Sequence, residues 1–395
     1  MSDVWQQTIN SAQALRHELH SNPELAWQET RTATRIRELL TALDIPWRSC
    51  ANTGTVATLT PNGSKATGDA PHIALRGDID ALPIQEQTEK KWSSCTPGLM
   101  HACGHDGHTA TLYATARWLK HHQHLLKAPV TLIFQPAEEG GHGAAKMIAD
   151  GALEGVDEIY GWHNWPAIPF GHIVCPDGLV MCGNSTFRLT VNGRGGHASQ
   201  PELCRDPVLA ASAITLALQQ IISRRLAPQQ AAVVSVTSFE APSGDTIIPQ
   251  QAVLGGSIRM PDSQAKNQIL ELIRDISQQT ARAYGVECDV DITPRYNATI
   301  NHPQQAQRVR QLWAEEYGAI AIDQHLLMPV MASEDFSYYL QEIPGAFALV
   351  GADDGADHQA PCHSPHYDFN DRLTPLVARL YSRLAGIPAP PQTTN

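Results

Sequence analysis

Clusters of metal-binding and proton-transferring residue types recur along the chain. They are RGDID (76–80), CGHDGH (103–108), PAEE (136–139), YGWHNW (160–165) and PCHSPHYDFND (361–371). Thiolate, imidazole and carboxylate are the ligands that a divalent transition metal accepts. A structural zinc site is usually closed by cysteine and histidine alone, whereas glutamates accompany the histidines here. The clusters therefore predict an open, hydrolytic metal site.

The CGHDGH segment admits more than one chemistry. A single loop histidine is usually structural, and an aspartate before a helix is usually a cap. Cys103 could also be a nucleophile with His105 as its base. If the loop is extended, the i, i+2 spacing of Cys103 and His105 lets both face one ion. Three further residues could complete the coordination of this ion or bind a second one: Glu139, His163 and His363. His366 competes with His363 for this role.

The adjacent glutamates Glu138 and Glu139 suggest a division of roles. Neighbouring residues at a strand end point in different directions. One carboxylate can therefore bind metal while the other takes a proton from the attacking water. Two ions about 3.5–4 Å apart make that water acidic and polarise the scissile carbonyl. The free glutamate then acts as general base and afterwards as acid towards the leaving amine.

Short apolar runs precede the clusters and predict how they are positioned. The runs HIALRGDID (72–80), 130–134 and DEIYGWHNWP (157–166) predict buried strands, the last one ending in a loop. Helical spacing appears in the first forty residues, in TATLYATARWLKHH (109–122) and over 144–149. This alternation predicts an α/β fold with a mostly parallel central sheet flanked by helices. In such sheets the site lies where the strands end in loops.

The pattern changes near residue 184, where NSTFRLTVNGRGG alternates apolar and polar residues. The order from there is strand, helix, strand, strand, helix, strand, which predicts a small α+β domain with helices on one sheet face. The first pattern resumes after about residue 297. We therefore predict a discontinuous catalytic domain (1–183 and 297–395) and an inserted, smaller α+β domain (184–296).

Composition narrows the function classes. The 395 residues are enough for two domains, and 42% hydrophobic with 17% charged residues is typical of a globular protein. A net charge of −12 argues against nucleic acid as a partner. No apolar stretch reaches the length of a membrane span, no signal-peptide pattern opens the chain, and the eight cysteines are not spaced as a disulfide framework. We expect a cytoplasmic enzyme with reduced thiols and a small-molecule partner, independent of membranes.

Seven ordered motifs strengthen these expectations: RGDIDALPIQE, MHACGHDGHTA, FQPAEEGGHGA, GWHNWP, GRGGHASQPE, SEDFSYYL and CHSPHYDFND. In this order they resemble the dimetal amidohydrolase/peptidase family, which includes aminoacylases and glutamate carboxypeptidases. The most similar branch is the hippurate hydrolase and auxin–amino-acid-conjugate hydrolase group. The resemblance implies hydrolysis of N-acetyl, N-benzoyl or aryl-acetyl amino acids. A dipeptidase or aminopeptidase on the same fold and a non-catalytic metal-binding protein are the alternatives.

The resemblance also implies roles for individual residues. It implies two divalent ions per chain, either zinc, manganese, nickel or cobalt. Cys103 would bridge them, Glu138 would be the general base and acid, and the remaining ligands would be His105, Glu139, His163 and His363. The wider family has His-x-Asp where this chain has Arg76-x-Asp78, and an aspartate bridge at the position of Cys103. In the hippurate hydrolase branch Asp78 would support the ligands, and Glu334 and Asp335 in SEDF are further candidates for that role.

The inserted domain carries dimerisation and a lid in this family, so the resemblance implies a homodimer. His197 in GRGGHAS would reach the partner's site and stabilise the developing oxyanion. Arg259 and Asn297 match positions associated with the substrate carboxylate, although Arg259 could instead form a structural ion pair. Thr246 stands where the family commonly has asparagine, which leaves the contacts on the lid side open.

Overall fold

The structure, a computed structural model, describes residues 2–61 and 70–392 and divides into two compact units. The first comprises Met1–Val180, Ile300–Leu327 and Asp335–Asn395, and the second comprises Met181–Thr299 and Met328–Glu334. The segment Met328–Glu334 differs from the prediction, which placed it in the catalytic domain. It belongs to the second unit because Val330 pairs with Met181 and its carbonyl accepts the N–H of Cys182 at 2.9 Å.

The helices and strands are numbered in chain order. The helices are α1 (Ser2–His20), α2 (Thr30–Ala42), α3 (His105–His121), α4 (Gly143–Ala149), α5 (Pro207–Leu218), α6 (Ser263–Ala283), α7 (Pro303–Tyr317), α8 (Ser337–Glu342) and α9 (Leu373–Leu384). The strands are β1 (Trp47–Cys50), β2 (Gly54–Leu59), β3 (Ile73–Asp78), β4 (Val130–Gln135), β5 (Glu158–Pro169), β6 (Ile173–Val174), β7 (Gly178–Met181), β8 (Gly183–Asn192), β9 (Gly196–His197), β10 (Val233–Glu240), β11 (Ile247–Ile248), β12 (Gln251–Met260), β13 (Glu287–Pro294), β14 (Thr299–Asn301) and β15 (Gly345–Asp353).

The first unit is built on a seven-stranded sheet of order β1-β2-β4-β3-β5-β15-β6. Its four central strands, β4, β3, β5 and β15, run parallel to one another, and the flanking pairs are antiparallel. This confirms the predicted mostly parallel sheet. Asp78 is in register with Gln135, so the polar segments that follow β3 and β4 leave the sheet at the same edge.

The core of the first unit lies between this sheet and its helices. Helix α3 packs against β3 and also contacts α1 and α9, with Leu112, Trp118 and Leu119 buried. Burial of one such side chain contributes roughly 1.5–3 kcal/mol, so this packing holds the start of α3 firmly beside the sheet. In the described ranges no helix is both long and apolar enough to cross a bilayer.

The second unit has an antiparallel sheet of order β10-β12-β8-β13. Phe187, Leu189 and Val191 alternate along β8 and enter a core shared with α5 and α6. Asp262 caps α6 by accepting the N–H of Ala265 at 2.7 Å. The element order β8-α5-β10-β12-α6-β13 confirms the predicted α+β arrangement.

Two local predictions were wrong. Strand β5 continues through His163 to Pro169, whereas a loop was predicted after its start, because Leu349 and Val350 of β15 pair with His163 and its neighbour. Helix α3 begins at His105 and not at residue 109. Both changes place predicted ligands on regular, buried elements, which fixes their direction more tightly than a loop would.

Candidate metal centre

A tight turn brings Cys103 next to the start of α3. Gly104 has a φ of +91°, a conformation that favours glycine. A Cβ atom there would overlap the Asn164 side chain and the Tyr367 hydroxyl. The chain turns into a helix at His105, so the extended loop considered above does not form, yet Cys103 and His105 are both buried in the same site.

The Cys103 thiol faces His163. The Cys103 Sγ and His163 Nε2 atoms are 3.3 Å apart. The Nδ1–H of His163 donates to the backbone carbonyl of Asn164 at 2.7 Å, which leaves the Nε2 lone pair on the side of the thiol. The cysteine-nucleophile hypothesis paired Cys103 with His105, whereas in the structure its imidazole contact is His163.

Asp80 orients two of the predicted ligands. His105 Nδ1 lies 3.0 Å from the Asp80 carbonyl and 3.2 Å from its Oδ1, while Asp80 Oδ2 accepts the N–H of Glu139 at 2.9 Å. Among the described residues, His105 Nε2 has no hydrogen-bond partner although the side chain is fully buried. A carboxylate on one ring nitrogen and a second nitrogen without a hydrogen bond are typical of a metal-binding histidine. Sequence analysis placed Asp80 in a polar cluster and gave it no role.

The two adjacent glutamates diverge, as predicted for neighbouring residues at a strand end. Glu139 Oε1 lies 3.0 Å from His363 Nε2. Glu138 is 5% exposed, and its Oε1 is 3.4 Å from the backbone N of Asp335. The turn between β4 and these residues contains Ala137 at a φ of +55°. The carboxylates therefore occupy different surroundings despite being consecutive in the chain.

The last predicted ligand comes from a distant part of the sequence. The N–H of His363 donates to the Ala102 carbonyl at 2.7 Å, which ties this segment to the residue before Cys103. The His363 side chain is 54% exposed, so this end of the site is open to solvent. His366, the possible competitor, is exposed and contacts the Gln87 carbonyl.

The donor atoms of the predicted ligands fall into overlapping groups, within each of which they lie no more than 4.8 Å apart. The groups are Cys103–His105–His163, Cys103–Glu139–His363 and His105–Glu138–Glu139. Cys103 is common to the first two, as a bridging ligand would be. Mixed sulfur, nitrogen and oxygen donors, with a His105 Nε2 that makes no hydrogen bond among the described residues, fit a pair of divalent transition-metal ions. The residues present therefore fit the predicted cofactor.

Asp78 lies behind these ligands. Its Oδ1 is 2.6 Å from His108 Nδ1, its Oδ2 accepts from Arg76 Nη1 at 2.5 Å, and the same Oδ2 is 3.6 Å from His105 Nε2. Arg76 also donates to Asp335 at 3.2 Å. These contacts place Asp78 in a buried ionic network beside the ligands. Sequence analysis named Asp335 as a candidate for supporting the ligands but assigned no role to Arg76.

The charges in the site influence one another strongly. Burial raises the pKa of Asp78 and Glu139, but neighbouring cations and hydrogen bonds outweigh it, so both pKa values are lowered. Burial lowers the pKa of His105, yet Asp78, Asp80 and Glu139 raise it to about 10. The contact with Cys362 and burial raise the pKa of the Cys103 thiol. Because ligands bind metal only when deprotonated, binding of cations here releases protons.

The remaining predicted site residues belong to the second unit. His197 is exposed on β9, and its Nδ1 accepts the N–H of Ser199 at 3.1 Å. Glu334 is buried at the end of Met328–Glu334.

Arg259 hydrogen-bonds to a hydroxyl group, and Asn297 accepts a hydrogen bond from a lysine. Arg259 Nη1 donates to Ser333 Oγ at 3.3 Å, and Lys266 Nζ donates to Asn297 Oδ1 at 3.2 Å. Arg259 forms no ion pair with any carboxylate in residues 2–61 and 70–392, so the described residues give the structural ion-pair interpretation no support. Sequence analysis did not single out Lys266, which lies in an ordinary amphipathic helix.

Comparisons with known proteins agree with this site. The family description that matches residues 74–386 is peptidase family M20/M25/M40. The chain is 38% identical over 378 residues to IAA-amino acid hydrolase ILR1-like 5 from Arabidopsis thaliana, covering 94% of this chain and 85% of that protein. It is 34% identical to hippurate hydrolase from Campylobacter jejuni, covering 94% of each.

A solved structure shows the same fold. It is that of the Bacillus subtilis YXEP protein, described as a dinuclear metal binding peptidase from the M20 family. The TM-score is 0.82 at 31% sequence identity, and the match covers 96% of this chain and 98% of that one. The α/β fold class and the predicted resemblance are thereby confirmed. The chain belongs to peptidase family M20/M25/M40 and is a hydrolase that acts on amide bonds.

Proposed function

We propose that the protein is a metal-dependent amidohydrolase that converts an N-acyl amino acid and water into a carboxylic acid and a free amino acid. One observation carries this proposal. Cys103 belongs to two groups of potential ligands, and the buried Glu138 belongs to a third group that overlaps them. The names of relatives that act on hippurate and on IAA-amino acid conjugates support the substrate class.

The proposed division of the ligands between the two ions corresponds to the two groups of donor atoms that share Cys103. We propose that the Cys103 thiolate is common to both ions, with His105 and His163 on one side and Glu139 and His363 on the other. When bound, two divalent cations polarise the scissile carbonyl and acidify the attacking water. Zinc, manganese, nickel and cobalt all suit this donor set. Asp80 and Asp78 hold the ligand side chains in position.

Glu138 performs the proton transfers. As the water oxygen forms a bond to the amide carbon, Glu138 accepts a proton from the water. When the C–N bond breaks, Glu138 donates this proton to the amine nitrogen, so the products are the carboxylic acid and the amino acid. Its burial suits a group that must deliver a proton to a leaving group shielded from bulk water.

The second unit supplies the other predicted roles. We propose that His197 stabilises the oxyanion in the site of a partner copy, that Arg259 and Asn297 bind the substrate carboxylate, and that Glu334 supports the site. The exposure of His197 and the neutral partners of Arg259 support these assignments. We further propose that the protein is a homodimer, and that it is cytoplasmic, in keeping with its eight free cysteines.

A substrate panel with metal control tests the function. The protein is stripped with a chelator, reloaded separately with each candidate metal, and incubated with N-acetyl, N-benzoyl and indole-acetyl amino acids and with free-amine dipeptides. We expect release of amino acid from the N-acylated compounds only after reloading. Preference for the dipeptides would favour a peptidase. Activity that survives chelation and is abolished by thiol alkylation would favour Cys103 as a nucleophile.

A further inference from the structure

Glu29, the residue before α2, has a fully buried carboxyl group to which the proposed mechanism gives no role. Its side chain does not cap α2, because Glu24 accepts the backbone N–H groups of Arg31 and Thr32 at 3.0 and 2.8 Å. None of the described cations forms an ion pair with Glu29, and burial raises its pKa. A carboxyl group buried in this way destabilises the fold unless its hydrogen bonds offset the lost hydration.

The hydrogen bonds of Glu29 connect two distant segments of the first unit. Glu29 Oε1 accepts the backbone N–H of Ala137 at 2.9 Å, and Oε2 accepts the hydroxyl of Thr53 at 2.7 Å. Ala137 directly precedes Glu138 and has a φ of +55°, a left-handed conformation that is unfavourable for a residue with a Cβ atom. Such a conformation persists only where the surroundings hold it. Glu29 provides one of the contacts that hold it.

Trp27 contacts the other end of the same turn. Its indole N–H donates to the Gly141 carbonyl at 3.2 Å. A Cβ atom at Gly141 would lie 2.6 Å from the Ala137 Cβ and 2.8 Å from the indole nitrogen, so these three residues are in close contact. Within the turn, the N–H of Gly143 donates to the Ala137 carbonyl at 3.1 Å. The segment before α2 therefore holds, from outside, the turn that carries Glu138.

We propose that Glu29 is a positioning residue for the hydrolysis: by accepting the N–H of Ala137 it fixes the direction in which Glu138 leaves the turn. The inference rests on the proposed function, in which Glu138 is the general base and acid. A general base acts only within hydrogen-bond reach of the proton that it takes. A displacement of about 1 Å in a catalytic site can reduce turnover about 10²-fold. Without Glu29 the buried N–H of Ala137 loses its acceptor, and the backbone before Glu138 is no longer held in the left-handed conformation.

The test measures kcat, KM and metal content of metal-loaded Glu29→Ala with the N-acyl amino acid that the unmodified protein cleaves fastest. We expect the metal content and KM of the unmodified protein and a decrease in kcat of about 10–100-fold. Glu29→Gln keeps the size and one oxygen that can accept the N–H of Ala137, so it should restore most of the lost kcat. Asp150→Ala is the matched control and should leave kcat unchanged. Asp150 likewise accepts the N–H of a buried alanine with positive φ, Ala51.

A double variant tests whether Glu29 acts through Glu138. Glu138→Ala removes the group that Glu29 positions, so the addition of Glu29→Ala should leave the residual single-turnover rate of Glu138→Ala unchanged. A further decrease of the same size in the double variant would mean that Glu29 supports the site as a whole, and it would overturn the inference.

The remaining outcomes separate the inference from the proposed function. Full kcat in Glu29→Ala, or a kcat in Glu29→Gln as low as in Glu29→Ala, would overturn the inference and leave the proposed function intact. Absence of hydrolysis by the unmodified protein across the whole substrate panel would overturn both. If Glu29→Ala does not fold, Thr53→Val replaces it, because this change removes only the hydroxyl that holds Glu29 Oε2. An unchanged kcat in Thr53→Val would then overturn the inference.

Discussion

Asp80 gives the sharpest prediction about how the metal centre is held. One of its carboxylate oxygens faces His105 Nδ1 at 3.2 Å and the other accepts the N–H of Glu139 at 2.9 Å, so a single side chain orients ligands from two segments. Asp80→Asn keeps the size but retains only one side-chain acceptor. One of the two contacts is therefore lost or reversed, and the negative charge opposite the His105 imidazole disappears.

The size of the effect follows from these contacts. Loss of a group that orients a metal ligand typically reduces metal affinity about 10–100-fold, or roughly 1.4–2.7 kcal/mol. We expect this decrease for Asp80→Asn, measured by titration of metal into stripped protein against a competing chelator. The melting temperature of the metal-free protein should change less on Asp80→Asn than that of the metal-loaded protein, because bound metal adds a stabilisation that grows with the logarithm of its affinity.

The control is Asp150→Asn. Asp150 also accepts a backbone N–H, from Ala51 at 2.7 Å, but it contacts none of the proposed ligands. Its variant should bind metal as the unmodified protein does. Equal metal affinities of Asp80→Asn and Asp150→Asn would refute the reasoning that Asp80 orients the ligands.

Three further predictions concern the bridging thiol, the turn beside it and a buried ion pair. Cys103→Ser should reduce metal content below two ions per chain in elemental analysis, and an unchanged content of two would rule out bridging. Gly104→Ala should lower the free energy of unfolding by about 2–3 kcal/mol more than Gly98→Ala, because both glycines have positive φ but only Gly104 has neighbours within reach of a Cβ. Burial lowers the pKa of His20, but Asp106 and a second carboxylate raise it to about 9, above its usual value near 6.5. The raised pKa stabilises the folded protein fully below pH 6.5, and this stabilisation is lost as the pH rises through 9. The unmodified protein should therefore lose its advantage in unfolding free energy over His20→Gln across that pH range, as measured by denaturant titration.

The sequence was sufficient to predict the architecture, because strand and helix periodicity is strong in this chain. Buried parallel strands appear in the sequence as short apolar runs, as in β4. In the second unit, buried residues alternate with more exposed ones along β8. The ends of elements were less predictable. His163 lies within β5 because β15 pairs with it, and that partner is distant in the sequence.

The candidate site was predicted from residue types, together with a supporting role for Asp78, whereas the roles of Asp80 and Arg76 were not predicted. Cysteine and histidine in a polar cluster are uncommon enough to notice, but Asp80 and Arg76 look like ordinary charged residues after a strand. Their roles depend on contacts made only in the folded chain.

The central claim is that Glu138 transfers protons and that the neighbouring residues hold the metal. The most direct measurement determines metal content and single-turnover hydrolysis on the same sample of Glu138→Ala. The proposed mechanism predicts two bound ions per chain and a loss of turnover of at least about 10²–10⁴-fold. Loss of metal together with activity would identify Glu138 as a ligand, and full activity with metal retained would exclude it as the general base.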